Sequence, residues 1–388
     1  MMKTNLKEET KDKDCSVDEA LNYAIEKGYG MAMWRMPNSQ NFYLLIGKTL
    51  ELTGNLELES LKTGFIFHPF DTNSHKIIYI EASAVWKITG QACKNIHGDV
   101  NFSDLKRSTE FYLNDYKVLL TEKSTFFDSI VHAKANIKSE NFEKVVLSQN
   151  KVRPLPQGFK LLSFFEKLQK KYPNAFVNLV STPKTGTWTG ATPELLLSSS
   201  GNLFKTVSLA GTQVVPDSFD IEEAAWKQKE IEEQALVSRY IINCFKKIRL
   251  REFHEKGPYT IKAGNLIHLK TDFLVDMKAT GFPELPSVML KLLHPTSAIC
   301  GMPKKEALEF IYKHEKYDRK YYSGYLGPVN FRDNTHIYVN LRCLELQSEN
   351  AIAYAGAGIT HSSDPEKEWI ETEMKTRIML DVLAEKYL

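Results

Sequence analysis

Residues 351–375 read Ala351-Ile-Ala-Tyr-Ala-Gly-Ala-Gly-Ile-Thr360-His-Ser-Ser-Asp-Pro-Glu-Lys-Glu-Trp-Ile370-Glu-Thr-Glu-Met-Lys375. The stretch opens as a strand over 351–355 and reaches what reads as a glycine turn at Gly356 and Gly358. A dinucleotide loop is excluded: the third glycine of GxGxxG would fall on His361, and no regular βαβ unit surrounds it. A helix follows with clear punctuation. Asp364 can cap it, Pro365 suits its first turn, and Glu366 and Glu368 suit the positive end of its dipole. Glu368, Glu371 and Lys375 are spaced i, i+3 and i+7, so they share one helical face. Two carboxylates on one face can hold a hard cation through oxygen, and magnesium takes only one or two. A solvated face with a Glu–Lys pair has the same spacing.

Working outward, strands are expected at 42–46, 76–80, 144–152, 175–181, 195–199, 203–209 and 336–346. Helices are expected at 105–122, 124–136, 219–249 and near 305–316. Strands and helices mix without a regular βαβ rhythm. The fold class is therefore α+β with large antiparallel sheets. Residues 1–15 read as a frayed polar start and 16–388 as one domain, with a variable part at 16–120 and a motif-bearing part at 121–388.

Several residues could carry chemistry. Lys144 opens an apolar strand, where desolvation can lower its pKa and make it a base, although a strand-end lysine can equally reach water. Glu194 ends the turn 190–194 before an apolar run, where its pKa could be raised for a general acid. Glu233 lies on a helical stripe with Trp226, Val237, Tyr240 and Cys244 and needs a partner if buried. The small residues of Ala210-Gly211-Thr212 would let backbone N–H groups approach an anion. Arg342 shares the polar face of its strand with Tyr338 and Asn340, which suits a carboxylate or solvent.

Composition sets the outer bounds. The chain has 388 residues, 43% hydrophobic and 25% charged, with formal net charge +2. Bulk charge gives no argument for nucleic acid or an anionic membrane. The five cysteines, Cys15, Cys93, Cys244, Cys300 and Cys343, form no CxxC pair, so neither a disulfide framework nor a zinc site is expected. No apolar run approaches a membrane span, and the charged N-terminus has no signal-peptide core, so the expectation is the cytoplasm.

Taken in order, Lys144-Val-Val-Leu147, Gly190-Ala-Thr-Pro-Glu194, Leu209-Ala-Gly-Thr212, 229–237, His294-Pro-Thr-Ser-Ala-Ile-Cys-Gly301, Tyr322-Ser-Gly324, Arg342 and the 354–375 stretch form a pattern. It resembles the chorismate-utilising enzymes: isochorismate, salicylate, anthranilate and aminodeoxychorismate synthases. The resemblance runs from about residue 143 to the C-terminus. It implies a fold of large antiparallel sheets packed face to face and surrounded by helices. It also implies roles. Lys144 would be the base that activates water, and Glu194 the acid for the departing hydroxyl. Glu233, Glu368 and Glu371 would hold Mg2+. Tyr322, Arg342 and Gly356 would take the enolpyruvyl carboxylate of chorismate, with Gly211, Thr212, His294 and Lys375 as further substrate-binding positions. Two positions depart from the family pattern: Gln234 stands where His is common after the first metal carboxylate, and Gln149 where Arg is frequent. Within the family, Ala210 replaces the lysine of aminodeoxychorismate synthases, and Lys144 is absent from anthranilate synthases. No glutamine-amidotransferase segment is visible. Water chemistry is therefore expected over ammonia chemistry. The expected activity is that of a Mg2+-dependent isochorismate synthase serving menaquinone or catechol-siderophore biosynthesis. The alternatives are salicylate synthase and a non-catalytic chorismate-fold binder. A small-molecule substrate and a monomer are the default expectations.

Overall fold

The structure is a computed structural model that describes residues 16–98, 100, 111–216, 218–263 and 266–385. The expected frayed start at 1–15 lies outside the described residues. Helix α1 (Val17–Glu26) begins at a Ser16–Glu19 capping box. Strands β1 (Gly30–Arg35), β2 (Phe42–Leu52), β3 (Gly64–His68), β4 (Ile77–Thr89) and β5 (Ala92–His97) follow. Helix α2 (Lys123–Lys138), β6 (Lys144–Pro154) and α3 (Leu161–Lys171) come next. Then come β7 (Phe176–Thr182), β8 (Gly186–Thr192), β9 (Leu195–Ser200), β10 (Leu203–Val214) and helix α4 (Gln228–Lys247). Strands β11 (His254–Ala263) and β12 (Leu266–Asp276), helix α5 (Leu285–Leu293), β13 (Gly301–Met302) and α6 (Lys304–His314) lead to the last segment. That segment holds β14 (Tyr325–Val329), β15 (Asn334–Val339), β16 (Cys343–Leu346), β17 (Asn350–Ile359) and α7 (Pro365–Ala384).

Every strand pairing among the described residues is antiparallel, as the α+β reading expects. The pairings trace one path. Its first half is β13–β6–β17–β16–β8–β7–β1–β2–β4, and its second is β4–β3–β14–β15–β9–β10–β12–β11. Strand β5 pairs along the far end of β4. The two halves face each other across an apolar layer. Trp34, Val180, Trp188 and Ile352 from one half pack with Phe65, Phe67, Leu326 and Tyr338 from the other. The Phe176 and Tyr338 rings stack across this layer at 4.2 Å, with planes 5° apart. Each fully buried aromatic side chain stabilises the sandwich by roughly 1.5–3 kcal/mol.

Helices cover the outer faces. Helices α1, α3 and α7 pack on the first half around Leu44, Val177 and Leu344. Helices α4 and α5 pack on the second half around Phe204, Phe273 and Ile337. Helices α2 and α6 close over Val145, Leu147, Ala357 and Ile359.

Five local expectations change. Gly356 and Gly358 make no turn: β17 runs through them to Ile359, opposite Ser148 and Val146 of β6. The 336–346 strand is two strands, because Arg342 takes a left-handed φ of 48° between β15 and β16. The 203–209 strand continues past Leu209 through Ala210-Gly211-Thr212 with a bulge. The 219–249 helix starts only at Gln228. Ahead of it a 3-10 turn at Ile221–Glu223 is capped by Asp220, so Trp226 precedes the helix that carries Glu233. Within 105–122, residues 105–110 lie outside the described set and 111–122 form no helix. Side chains take that segment's backbone groups instead: Asn150 bonds Thr121 N and Leu119 O, Gln347 bonds Tyr116 O, and Thr187 bonds Tyr112 O.

Candidate active site

Two chain crossovers between the halves set the site. The link from β8 to β9 carries Glu194, and the link from β15 to β16 carries Arg342. Hydrogen bonds stitch them together: Val339 N donates to Glu194 O at 3.0 Å, Ala191 N to Arg342 O at 3.1 Å, and Thr192 Oγ1 to Val339 O at 2.7 Å. The left-handed Arg342 costs on the order of 1–3 kcal/mol. That strain turns its side chain into the same cavity as Glu194, where the expected straight strand would have placed it beside Tyr338 and Asn340.

The cavity holds about 200 Å3. Its walls come from both halves: Val146, Ala355 and Gly356 on one side, Leu209 and His268 on the other. Tyr322, Arg342, Glu194 and Lys375 supply its polar groups, and Tyr354 lines it while its hydroxyl donates to the buried Glu345. Lys375 Nζ donates to Gly356 O at 2.9 Å and to Glu371 Oε1 at 2.7 Å, which fixes α7 against β17.

Lys144 is the first residue of β6, and its chain lies over Gly358. A Cβ on that glycine would sit 2.6 Å from Lys144 Cε and 3.2 Å from Nζ. Both glycines of the quoted stretch therefore make room rather than a turn. At Gly356 a Cβ would come within 3.1 Å of the Tyr322 hydroxyl. Lys144 is partly shielded from solvent. Burial lowers its pKa, and the Lys375 charge lowers it further, while Glu233, Glu194 and Glu371 oppose the shift. Burial likewise raises the Glu194 carboxyl to about 7, against the pull of Lys144, Arg342 and Lys375. The amine and the carboxyl are thus both pushed toward their neutral forms within one electrostatic neighbourhood.

Two of the expected metal carboxylates act on Lys144. Glu233 comes from α4, and Glu371 from α7. Glu368 is 8% exposed, and its pKa is raised by burial and by the Glu371 charge, with a hydrogen bond from Ser363 opposing. Both departures from the family pattern hold these helices in place. Gln149 Nε2 donates to Thr372 Oγ1 of α7 at 2.5 Å, and Gln234 Nε2 of α4 donates to Thr271 Oγ1 of β12 at 2.9 Å. Among the described residues no group of three or more His, Cys, Asp or Glu side chains is placed to hold a metal ion.

Lys144 and the carboxylates Glu233, Glu368 and Glu371 do not line the cavity itself, and neither do the three expected substrate positions His294, Gly211 and Thr212. His294 lines a neighbouring cavity of about 550 Å3 with His68 and Tyr325, and its segment contributes Ala298 and Ile299 instead. Gly211 has φ 65° at the β10 bulge and meets the site through His268, whose ring bonds its backbone. Thr212 lies in the same strand, and its side chain is outside the described set.

His268 and Tyr354 are absent from the expected set. The Arg342 charge and burial hold the His268 pKa down to about 4, burial being the larger cause, so its ring is neutral. The one sequence signal for His268 was a histidine inside the apolar run Leu266-Ile-His-Leu269.

Comparison with known proteins agrees with this geometry. Residues 80–384 match the family model described as chorismate binding enzyme. The isochorismate synthase EntC of Escherichia coli K12 is 31% identical over 271 residues, 68% of each chain. Anthranilate synthase component 1 of Thermococcus kodakarensis is 28% identical over 273 residues, 66% of this chain and 60% of that one. Among solved structures, MenF, the menaquinone-specific isochorismate synthase from Escherichia coli, superposes with a TM-score of 0.75 at 19% identity, covering 94% of this chain and 91% of its own. This chain belongs to the family of chorismate binding enzymes.

Proposed function

We propose that the protein is a Mg2+-dependent isochorismate synthase. The observation that carries the reading is the opposed pair in one neighbourhood: a lysine pushed toward the free amine and a glutamate lifted to about 7. Chorismate needs both. Water is a poor nucleophile, and Lys144 takes its proton as it attacks C2. Hydroxide is a poor leaving group, and Glu194 gives a proton to the C4 hydroxyl, which departs as water. The ring double bonds shift between these carbons. One water enters and one leaves, so the product is an isomer.

The other groups suit a dicarboxylate. Arg342, the Tyr322 hydroxyl and the backbone at Gly356 line the cavity together and would take the enolpyruvyl carboxylate. Neutral His268 supplies an uncharged polar contact beside Arg342. For the ring carboxylate, a hard cation fits the donors. Glu368 and Glu371 stand one helical turn apart, and the charge of Glu371 raises the pKa of Glu368, a repulsion that a divalent ion relieves. Glu233 faces the same neighbourhood from α4. A pair of carboxylates, with water completing the shell, matches magnesium's preference. When bound, the ion supplies positive charge for the ring carboxylate.

EntC and MenF favour the isochorismate product over anthranilate. The test is product analysis. Chorismate incubated with the protein and magnesium, then chromatographed, yields isochorismate. Salicylate with pyruvate, anthranilate on adding ammonia, or unchanged chorismate each overturn the reading.

A further inference from the structure

Behind the cavity wall lies a buried carboxylate that the proposed reaction does not use. Glu345 of β16 is 2% exposed. Its Oε2 accepts from the Tyr354 hydroxyl at 2.8 Å and from the Tyr116 hydroxyl at 2.8 Å. Its Oε1 accepts from Lys320 Nζ at 3.0 Å. Tyr354 stacks with three aromatic rings: Trp188 at 5.5 Å with planes 16° apart, Tyr322 at 5.3 Å with planes 13° apart, and Tyr317 at 6.2 Å with planes 26° apart. Tyr322 and Tyr354 both line the cavity.

Stacking alone leaves a ring free to slide in its own plane, because the attraction between offset aromatic faces is broad. A hydrogen bond to a charged acceptor is directional and about twice as strong as a neutral one. The bond from Tyr354 to Glu345 therefore fixes where the Tyr354 ring sits. That position in turn limits the Tyr322 ring stacked on it. Lys320 compensates the Glu345 charge, so the carboxylate is held without an unpaired buried ion. The same carboxylate also ties down Tyr116 in the irregular 111–122 segment, which separates two roles that a variant series can resolve.

We infer that Glu345 is a positioning residue for the substrate pocket, acting through Tyr354 to set the Tyr322 hydroxyl beside Gly356. The inference rests on the reading of that pocket as the enolpyruvyl-carboxylate site. Its effect falls on substrate affinity and leaves the proton transfers at Lys144 and Glu194 unchanged.

The test is steady-state kinetics with chorismate and magnesium, alongside thermal unfolding, on four variants. Tyr354→Phe keeps the ring and removes the hydroxyl; it raises KM roughly fivefold to tenfold with kcat within about twofold. Glu345→Ala raises KM by at least as much. Glu345→Gln raises it less, because the amide oxygen still accepts from Tyr354. Tyr116→Phe lowers the unfolding midpoint and keeps the wild-type KM. If the Glu345 variants do not fold, Tyr354→Phe still decides the matter. A wild-type enzyme that turns over chorismate, with Tyr354→Phe at wild-type KM, overturns the inference alone. So does a Tyr116→Phe variant whose KM rises as much as that of Tyr354→Phe. A wild type that never consumes chorismate overturns the functional reading and the inference together.

Discussion

Replacing Glu194 by glutamine should stabilise the protein while abolishing its activity. Burial lifts this carboxyl from 4.5 to about 7. The folded pKa lies above the unfolded one, so the folded state binds the proton more tightly. Below pH 4.5 both states are protonated and nothing is lost. Stability then falls as pH rises through about 7, and the full loss is present above it. At about 1.4 kcal/mol per unit, the loss approaches roughly 3 kcal/mol. Solvent reaching the partly accessible carboxylate trims this to about 2 kcal/mol. Glutamine has the same shape and no charge to bury. With an unfolding entropy of roughly 2 cal/mol/K per residue, a chain of 388 residues converts that gain into a rise of about 2–3 °C. The assay is thermal unfolding of both proteins at about pH 8 and about pH 5, where the glutamine variant should gain at the first and lose its advantage at the second. Turnover should fall by roughly 100-fold or more. A gap equal at both pH values, or absent at the higher one, would refute the claim that the site holds this acid at an electrostatic cost.

Three further outcomes follow from the geometry. Lys144→Ala should lose turnover by roughly 100-fold or more while the fold persists, as circular dichroism would show; near-normal rates would remove Lys144 as the base. Gly358→Ala places a methyl against Lys144 Cε, so it should lower kcat with little change in KM, whereas an unaffected kcat would mean the lysine need not lie there. A chelator should abolish turnover and magnesium restore it, and Glu371→Ala should lose both activity and the magnesium response; full activity of that variant with chelator present would contradict the carboxylate assignment.

Local spacing was legible in the sequence, and the path of the backbone was less so. The spacing of Glu368, Glu371 and Lys375 on one helical face was correct because helical geometry is local, and Asp364 does cap α7. In sequence alone Gly356 and Gly358 suit a turn as well as a close-packed strand, because small residues serve both ends. Here they leave space for Lys144 and Tyr322, which only the pairing of β17 with β6 reveals. Arg342 was placed on a strand because its left-handed backbone leaves no mark in a run of alternating residues. His268 and Tyr354 went unnoticed because each reaches the site through cross-strand pairing, with His268 set opposite Thr212 and Tyr354 opposite Asn150. The irregular 111–122 segment defeated a helical reading because Asn150, Gln347 and Thr187, all distant in sequence, satisfy its backbone.

The central claim is that solvent water attacks the ring while the original hydroxyl departs. Turnover in water enriched in 18O, followed by mass spectrometry of the product, tests it most directly. The account predicts isochorismate carrying one solvent oxygen. Product formed with no incorporation of 18O would contradict it.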